Sequence, residues 1–160
     1  MTDKLQEILM DLQCELVAER NLVNPDQLTW VQYDILNTLR SGTAKPSLLS
    51  QQLGITRTKL SKSLVALREM NYVEQSPNIS DRREMDTKLT DNGRQFLASV
   101  SKKHTELLAR AQQVWNLDEQ QHFIESADKL IRLLREERQK MRNEYIKIQG
   151  ARTNNLKILQ

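Results

Sequence analysis

The sequence predicts a mainly α-helical chain with one small β-hairpin. Three observations predict it. Apolar residues recur at helical spacing through most of the 160 residues. The pattern breaks into two short strand-compatible segments only after Asn71, and Gly and Pro are scarce, at four and three. A hydrophobic fraction of 38% with 28% charged residues fits helices with much surface, or subunits of an oligomer.

The first helix carries Leu5, Ile8, Leu9, Leu12 and Leu16 along one stripe, with Met10, Cys14, Val17 and Ala18 on the other side. Apolar groups on two faces call for two neighbours, as in a helix held between subunits. Asn24-Pro25-Asp26 should break it. "LTWVQYDILNTL" starts a second helix with Thr29 and Gln32 at capping-box spacing, and Ser41-Gly42 ends it. A short third helix spans about Ser47 to Leu53 and stops at Gly54.

Thr56 is the expected N-cap of a fourth helix, whose Leu60, Leu64 and Leu67 recur on one face. Thr58, Ser61, Lys62 and Val65 share the opposite face, and Arg57 sits in the first turn. "YVEQS" and "EMDTKL" then read as two strands around the turn-forming "PNISDRR". Thr90 is expected to start one long helix reaching Val114, with Phe96, Leu97, Val100, Leu107, Leu108 and Ala111 spaced for burial. Asp118 is expected to cap a last helix running to about Gly150, with Phe123, Ala127, Leu130, Ile131, Leu134, Met141, Tyr145 and Ile148 on its stripe. At ~1.5 Å per residue such a helix outreaches a domain of roughly 90 residues, so its far half needs a partner. The tail, residues 151–160, is expected to be loose or to dock through Leu156, Ile158 and Leu159.

Charge is unevenly placed. Residues 1–40 hold three Lys/Arg against seven Asp/Glu, residues 41–90 eight against five, and residues 91–160 thirteen against nine. A basic middle suits a polyanionic partner, although such an excess also suits a plain solvated surface. The N-terminal "MTDKLQEILMDL" has acids where a secretion signal needs basic residues, and no apolar run approaches a membrane span. A cytoplasmic protein is expected, and the single Cys14 fits a reducing compartment.

Helix, short helix, turn, helix, hairpin is the order of a winged helix-turn-helix. Its third helix fits a major groove, and its hairpin reaches phosphates or the minor groove beside it. In that order and spacing, "LTWVQYDIL", "LLSQQLGITRTKLSKSLVALREMNYVEQS", "DRR" and "LTDNG" resemble the MarR family of bacterial transcriptional regulators. The resemblance is specific over about residues 28–97. It implies a homodimer whose flanking helices intertwine while two winged domains bind a pseudo-palindromic operator on double-stranded DNA, as a repressor. By this reading residues 1–22 are an N-terminal dimerisation helix, 28–97 the DNA-binding domain, 98–150 C-terminal dimerisation helices and 151–160 a tail.

Carried over by position, Thr56, Arg57, Thr58, Ser61 and Lys62 face the groove. Arg57 is the candidate base reader, because a guanidinium grips guanine O6 and N7 together; Lys59 and Lys62 suit phosphates. The family's Asp-x-Arg wing pattern is matched by Asp81 and Arg83, which implies Arg83 in the minor groove and Asp81 bracing an arginine or the wing backbone. Arg82 stays open between a phosphate contact and a partner for Glu84 or Asp86. Against all this stands a solvated helix face beside a salt-bridged hairpin.

Relatives in this family bind anionic aromatic effectors in a crevice between dimer helices and winged domain, which makes Trp30 and Tyr33 candidate lining residues, with core packing the alternative. Some relatives sense oxidants through an N-terminal-helix cysteine. Cys14 has Glu15 beside it and no basic cluster in sequence, so a packed, inert thiol is the expectation. His104 and His122 have no second ligand at i+4, so no metal is expected. No cofactor is expected either, and no phosphate-cradling glycine loop, nucleophile elbow or carboxylate pair points to catalysis. A winged-helix interaction scaffold without DNA binding is the competing function, and the basic, acid-free stretch Arg57 to Arg68 argues against it.

Overall fold

The computed structural model describes residues 2–22, 27–101 and 105–157. Helix α1 spans Thr2–Leu22, α2 Trp30–Thr38, α3 Pro46–Leu53 and α4 Arg57–Glu69. Strands β1 (Val73–Pro77) and β2 (Met85–Leu89) follow, then α5 (Asp91–Ser101), α6 (Thr105–Val114) and α7 (Leu117–Lys157). The expected Asn24-Pro25-Asp26 break, His104, Ile158 and Leu159 lie outside the described residues.

Local chemistry explains most boundaries. Thr29 Oγ1 accepts from the Gln32 N–H while the Gln32 side chain accepts from the Thr29 N–H, a complete capping box for α2. Thr56 Oγ1 accepts from the Lys59 N–H at 3.2 Å and caps α4. Gly54 ends α3 at φ 64°, a left-handed conformation that a side chain would penalise.

Two expectations at the C-terminal side change. The α7 cap is Asn116: its Oδ1 accepts from the Glu119 N–H at 3.0 Å, and Glu119 Oε2 accepts from the Asn116 N–H at 2.8 Å. Asp118 is instead in the first turn, where a carboxylate still favours the positive end of the helix. Second, α7 remains helical to Lys157, well past the expected end near Gly150, so most of the supposed loose tail is helix. The helix expected from Thr90 to Val114 is described as α5 and α6, and its continuity between them lies outside the described residues.

The core lies within the winged unit. Ile35, Leu36, Leu39, Leu49, Leu60 and Leu67 are essentially inaccessible, and Leu28, Tyr33, Leu64, Val73, Leu89, Leu97 and Val100 complete the cluster. β1 and β2 pair antiparallel from Val73↔Leu89 to Pro77↔Met85. Ala44 and Thr87 exchange both backbone hydrogen bonds at 2.9 Å, which fixes the hairpin to the segment entering α3. The flanking helices differ. Leu5 and Leu16 on α1, Leu107 and Leu108 on α6, and Leu130 and Leu134 on α7 are 41–62% exposed despite spacing suited to burial. Among the described residues, ion pairs help tie α1 and α6 down, with Arg20–Asp34 at 2.7 Å and Arg110–Glu19 at 3.0 Å.

Candidate nucleic-acid interface

Helix α4 has two chemically distinct faces. Leu60, Ser63, Leu64 and Leu67 are buried, and Ser63 Oγ satisfies itself on the Lys59 carbonyl at 3.0 Å. Thr58, Ser61, Lys62 and Val65 are exposed on the other side, with Arg57 and Lys59 also exposed. At about 100° per residue, Arg57 and Lys59 stand on opposite edges of that exposed face. The Thr56 hydroxyl is committed to its cap, so what it offers a ligand is secondary to holding the first turn.

The hairpin tip is built by Asn78. Its Oδ1 accepts from the Ser80 and Asp81 N–H groups at 2.8 and 3.0 Å, and its Nδ2 donates to the Asp86 carboxylate at 3.0 Å. Asp81 Oδ1 accepts from the Arg83 N–H at 3.0 Å, so Asp81 braces the wing backbone rather than an arginine side chain. The Asn78 N–H donates to the Glu84 carbonyl and the Glu84 N–H to the Asp81 carbonyl, closing the loop on itself. A tip with this many internal bonds is pre-organised, so little ordering entropy opposes its use in binding.

Lys88 and Glu74 pair across the strands at 3.0 Å, but among the described residues the tip charges Asp81, Arg82, Arg83, Glu84 and Asp86 form no ion pair with one another. Glu84 pairs with Lys45 at the start of α3, and Asp86 is engaged by Asn78. The Glu84 partner also raises the Lys45 ammonium above its ordinary pKa. Among the described residues, the exposed Arg82 and Arg83 side chains enter no ion pair, so both charges stand open to a ligand.

Fold and charge meet in a recess of about 340 Å³ between α4, the wing and the start of α3. Arg57, Ser61, Arg83 and Lys45 line it, with Ser47 and Gln75 beside them. Residues 26 positions apart in sequence, Arg57 and Arg83, thereby share one concavity. Thr58, Lys59, Lys62 and Arg82 lie outside that lining, on the surrounding exposed surface. Lys45, Ser47 and Gln75 were not picked out from sequence. The Lys45-Pro46 step before a helix was the available signal, since it places a cation at a helix start.

The two aromatic candidates pack within the chain, as the core alternative has it. Tyr33 is buried at 8% exposure, and burial pushes its phenol above the ordinary value. Trp30 packs edge-on against Tyr33 with centroids 5.5 Å apart, and Arg20 stacks over it at 4.8 Å. The large crevice lies elsewhere, about 940 Å³ between α2, the end of α3 and α7, and neither Trp30 nor Tyr33 lines it. Its cations are Arg20, Arg40, Arg135 and Arg138. Asp34 compensates Arg20, whereas Arg138 Nε is buried without a hydrogen-bond partner. These arginines were missed because helical spacing reads them as solvated charge.

Cys14 is exposed in the single chain, on the α1 helix expected to lie between subunits. Among the described residues no three His, Cys, Asp or Glu side chains gather as metal ligands, and no helix is long and apolar enough to cross a membrane.

Residues 28–93 match the family model described as a winged helix DNA-binding domain. Solved structures share the fold. A cysteine-to-serine variant of MarR from E. coli, complexed with operator DNA, superposes with a TM-score of 0.62 at 22% identity, covering 78% of this chain and 91% of that one. FabT from Streptococcus pneumoniae in complex with DNA gives 0.64 at 19%, covering 85% and 99%. BpsR from Bordetella bronchiseptica, described for regulation of its DNA binding by 6-hydroxynicotinic acid, gives 0.66 at 19%, covering 79% and 98%. A comparison with curated protein sequences gave no match.

Proposed function

We propose that this chain, a winged-helix protein with the fold of the MarR-type regulators, is a DNA-binding transcription regulator that acts as a homodimeric repressor. One observation carries the DNA reading: Arg57, Ser61 and Arg83 converge on a single recess whose one carboxylate, Glu84, is already neutralised by Lys45. α4 presents the face that enters a major groove, with Arg57 reading a base and Lys59 and Lys62 meeting phosphates. The wing directs Arg83 to the adjacent minor groove and leaves Arg82 to a phosphate.

The uncovered apolar stripes of α1, α6 and α7 support the homodimer, because several large side chains left about half exposed along three helices are the mark of a missing partner. Two winged domains related by a two-fold axis then meet two half-sites of a pseudo-palindrome. Release by an anionic small molecule fits the arginine-lined crevice between winged unit and α7 better than it fits Trp30 and Tyr33.

Selection of bound fragments from genomic DNA, followed by gel shifts with the recovered duplexes, tests this reading. A saturable, sequence-selective shift by a dimer is expected. Absence of any selective shift would favour an interaction scaffold that has lost DNA binding.

A further inference from the structure

The geometry points to the distal part of α7, from Arg138 onward, as a second DNA-contacting flank that holds phosphates on the side of the recognition helix opposite the wing. This rests on the reading of α4 and the wing as the DNA interface.

The helix reaches that position by running along α3. The side-chain stem of Arg138 lies beside Gly54, where α3 ends: a Cβ built on that glycine would be 3.9 Å from Arg138 Cδ. One turn on, Arg142 Nη1 donates to the Ser47 carbonyl at 2.5 Å, where α3 begins, and to Oε1 of Gln51, one turn further along α3, at 3.2 Å. α7 therefore travels from the end of α3 toward its start. Ser47 also lines the wing recess with Arg57 and Arg83, so α7 emerges at the edge that faces DNA.

A second recess, of about 620 Å³, lies between α7 and the entry to α4, with Arg57, Ile55, Met141, Arg142 and Tyr145 in its wall. Arg57 belongs to both recesses. The first turn of the recognition helix is thus flanked by Arg83 of the wing on one side and by α7 on the other.

Charge selects the occupant. Residues 138–157 hold six Lys/Arg and a single acid, Glu144. Beyond Tyr145 the helix continues twelve residues to Lys157, about 18 Å at the usual rise, and that stretch contains Lys147, Arg152 and Lys157 with no acid. A basic helix leaving a protein beside its base-reading residue meets the backbone of the same duplex, where each neutralised phosphate releases counterions. Met141 and Tyr145, which by spacing suit an extended dimer interface, line the recess beside the chain's own α3 and Arg57.

The test compares the full chain, the variant Lys147→Gln/Arg152→Gln/Lys157→Gln and a truncation after Tyr145, using duplexes selected by the full chain. Affinity is measured across a salt series, and mass by light scattering. The flank requires that both altered proteins keep the full chain's oligomeric state and bind at least about ten-fold more weakly near physiological salt, with a salt slope shallower by ~0.9 per lost contact. Equal affinity and slope in the triple variant would overturn the flank while leaving the interface of α4 and the wing standing. Tighter binding after truncation would overturn it in favour of a segment that covers the recognition helix. Weaker binding on truncation alone, with a fall in mass, would overturn it in favour of a dimer extension. A full chain that shifts no duplex overturns the DNA reading and the flank together.

Discussion

Replacing Gly93 with Ala should destabilise the protein even though alanine is the better helix former. Gly93 lies in the first turn of α5, where the propensity gain from Gly→Ala is at most ~1 kcal/mol. A Cβ there would stand 2.2 Å from the Tyr72 carbonyl oxygen and 3.0 Å from its carbon. Carbon–oxygen contacts settle at about 3.3 Å or more, so roughly 1 Å of separation has to be found. The obstacle is backbone, and it is pinned. Tyr72 O accepts from the Thr90 N–H at 3.1 Å, and Thr90 Oγ1 donates to the Asn71 carbonyl at 2.6 Å. Overpacking of this kind costs ~1–3 kcal/mol, and losing the Thr90 bond adds ~1 kcal/mol. The net loss is therefore about 1–3 kcal/mol, which for a chain of this size lowers Tm by about 3–10 °C. Thermal unfolding followed by circular dichroism at fixed protein concentration measures it. Because Tyr72 leads directly into β1, a parallel loss of DNA affinity is expected from a displaced wing. A Tm equal to or above that of the parent would refute the reasoning, since helix propensity alone predicts that sign.

The interface residues predict separable effects. Arg57→Ala should cost ~1–3 kcal/mol of binding and relax preference at one base pair, read from competition among operator variants. Arg83→Ala should flatten the salt dependence by about one contact, and an unchanged slope across a salt titration would remove Arg83 from the minor groove. Burial raises the Tyr33 phenol, so the unfolded chain loses this proton first and stability falls as pH rises above about 10; denaturation midpoints of Tyr33→Phe should decline less over that range. Among the described residues no basic side chain pairs with the exposed Cys14, so peroxide should release DNA equally from the parent and from Cys14→Ser in a gel shift.

Features set within about four residues were legible in the sequence. The Thr29 and Thr56 caps, the Gly54 stop and the two-faced α4 each depend on backbone groups or side chains one turn apart, and the turn formers of "PNISDRR" mark the hairpin in the same local way. Local reading failed where two local solutions competed. Asn116-x-x-Glu119 and Asp118-x-x-Gln121 both spell a cap, and the flanking apolar groups did not decide between them. It left Trp30 and Tyr33 open between pocket and core, because an aromatic pair on an amphipathic helix looks the same whether a ligand or a core covers it.

By itself, then, the sequence determined most of the helical segments, where the hairpin lies and which face of α4 is polar, because those depend on short-range hydrogen bonding and periodicity. Tertiary structure alone decided what those faces meet. The Ala44–Thr87 bridge and the Lys45–Glu84 pair carry the wing to the start of α3, and so bring Arg83 to the recess of Arg57. Packing of α7 along α3 set Arg138 and Arg142 beside the winged unit, and turned what read as scattered solvated charges into the walls of two cavities. Such neighbours are separated by tens of residues along the chain. Only burial of the shared core, to which every element of the winged unit contributes, selects among the ways those faces might otherwise have met.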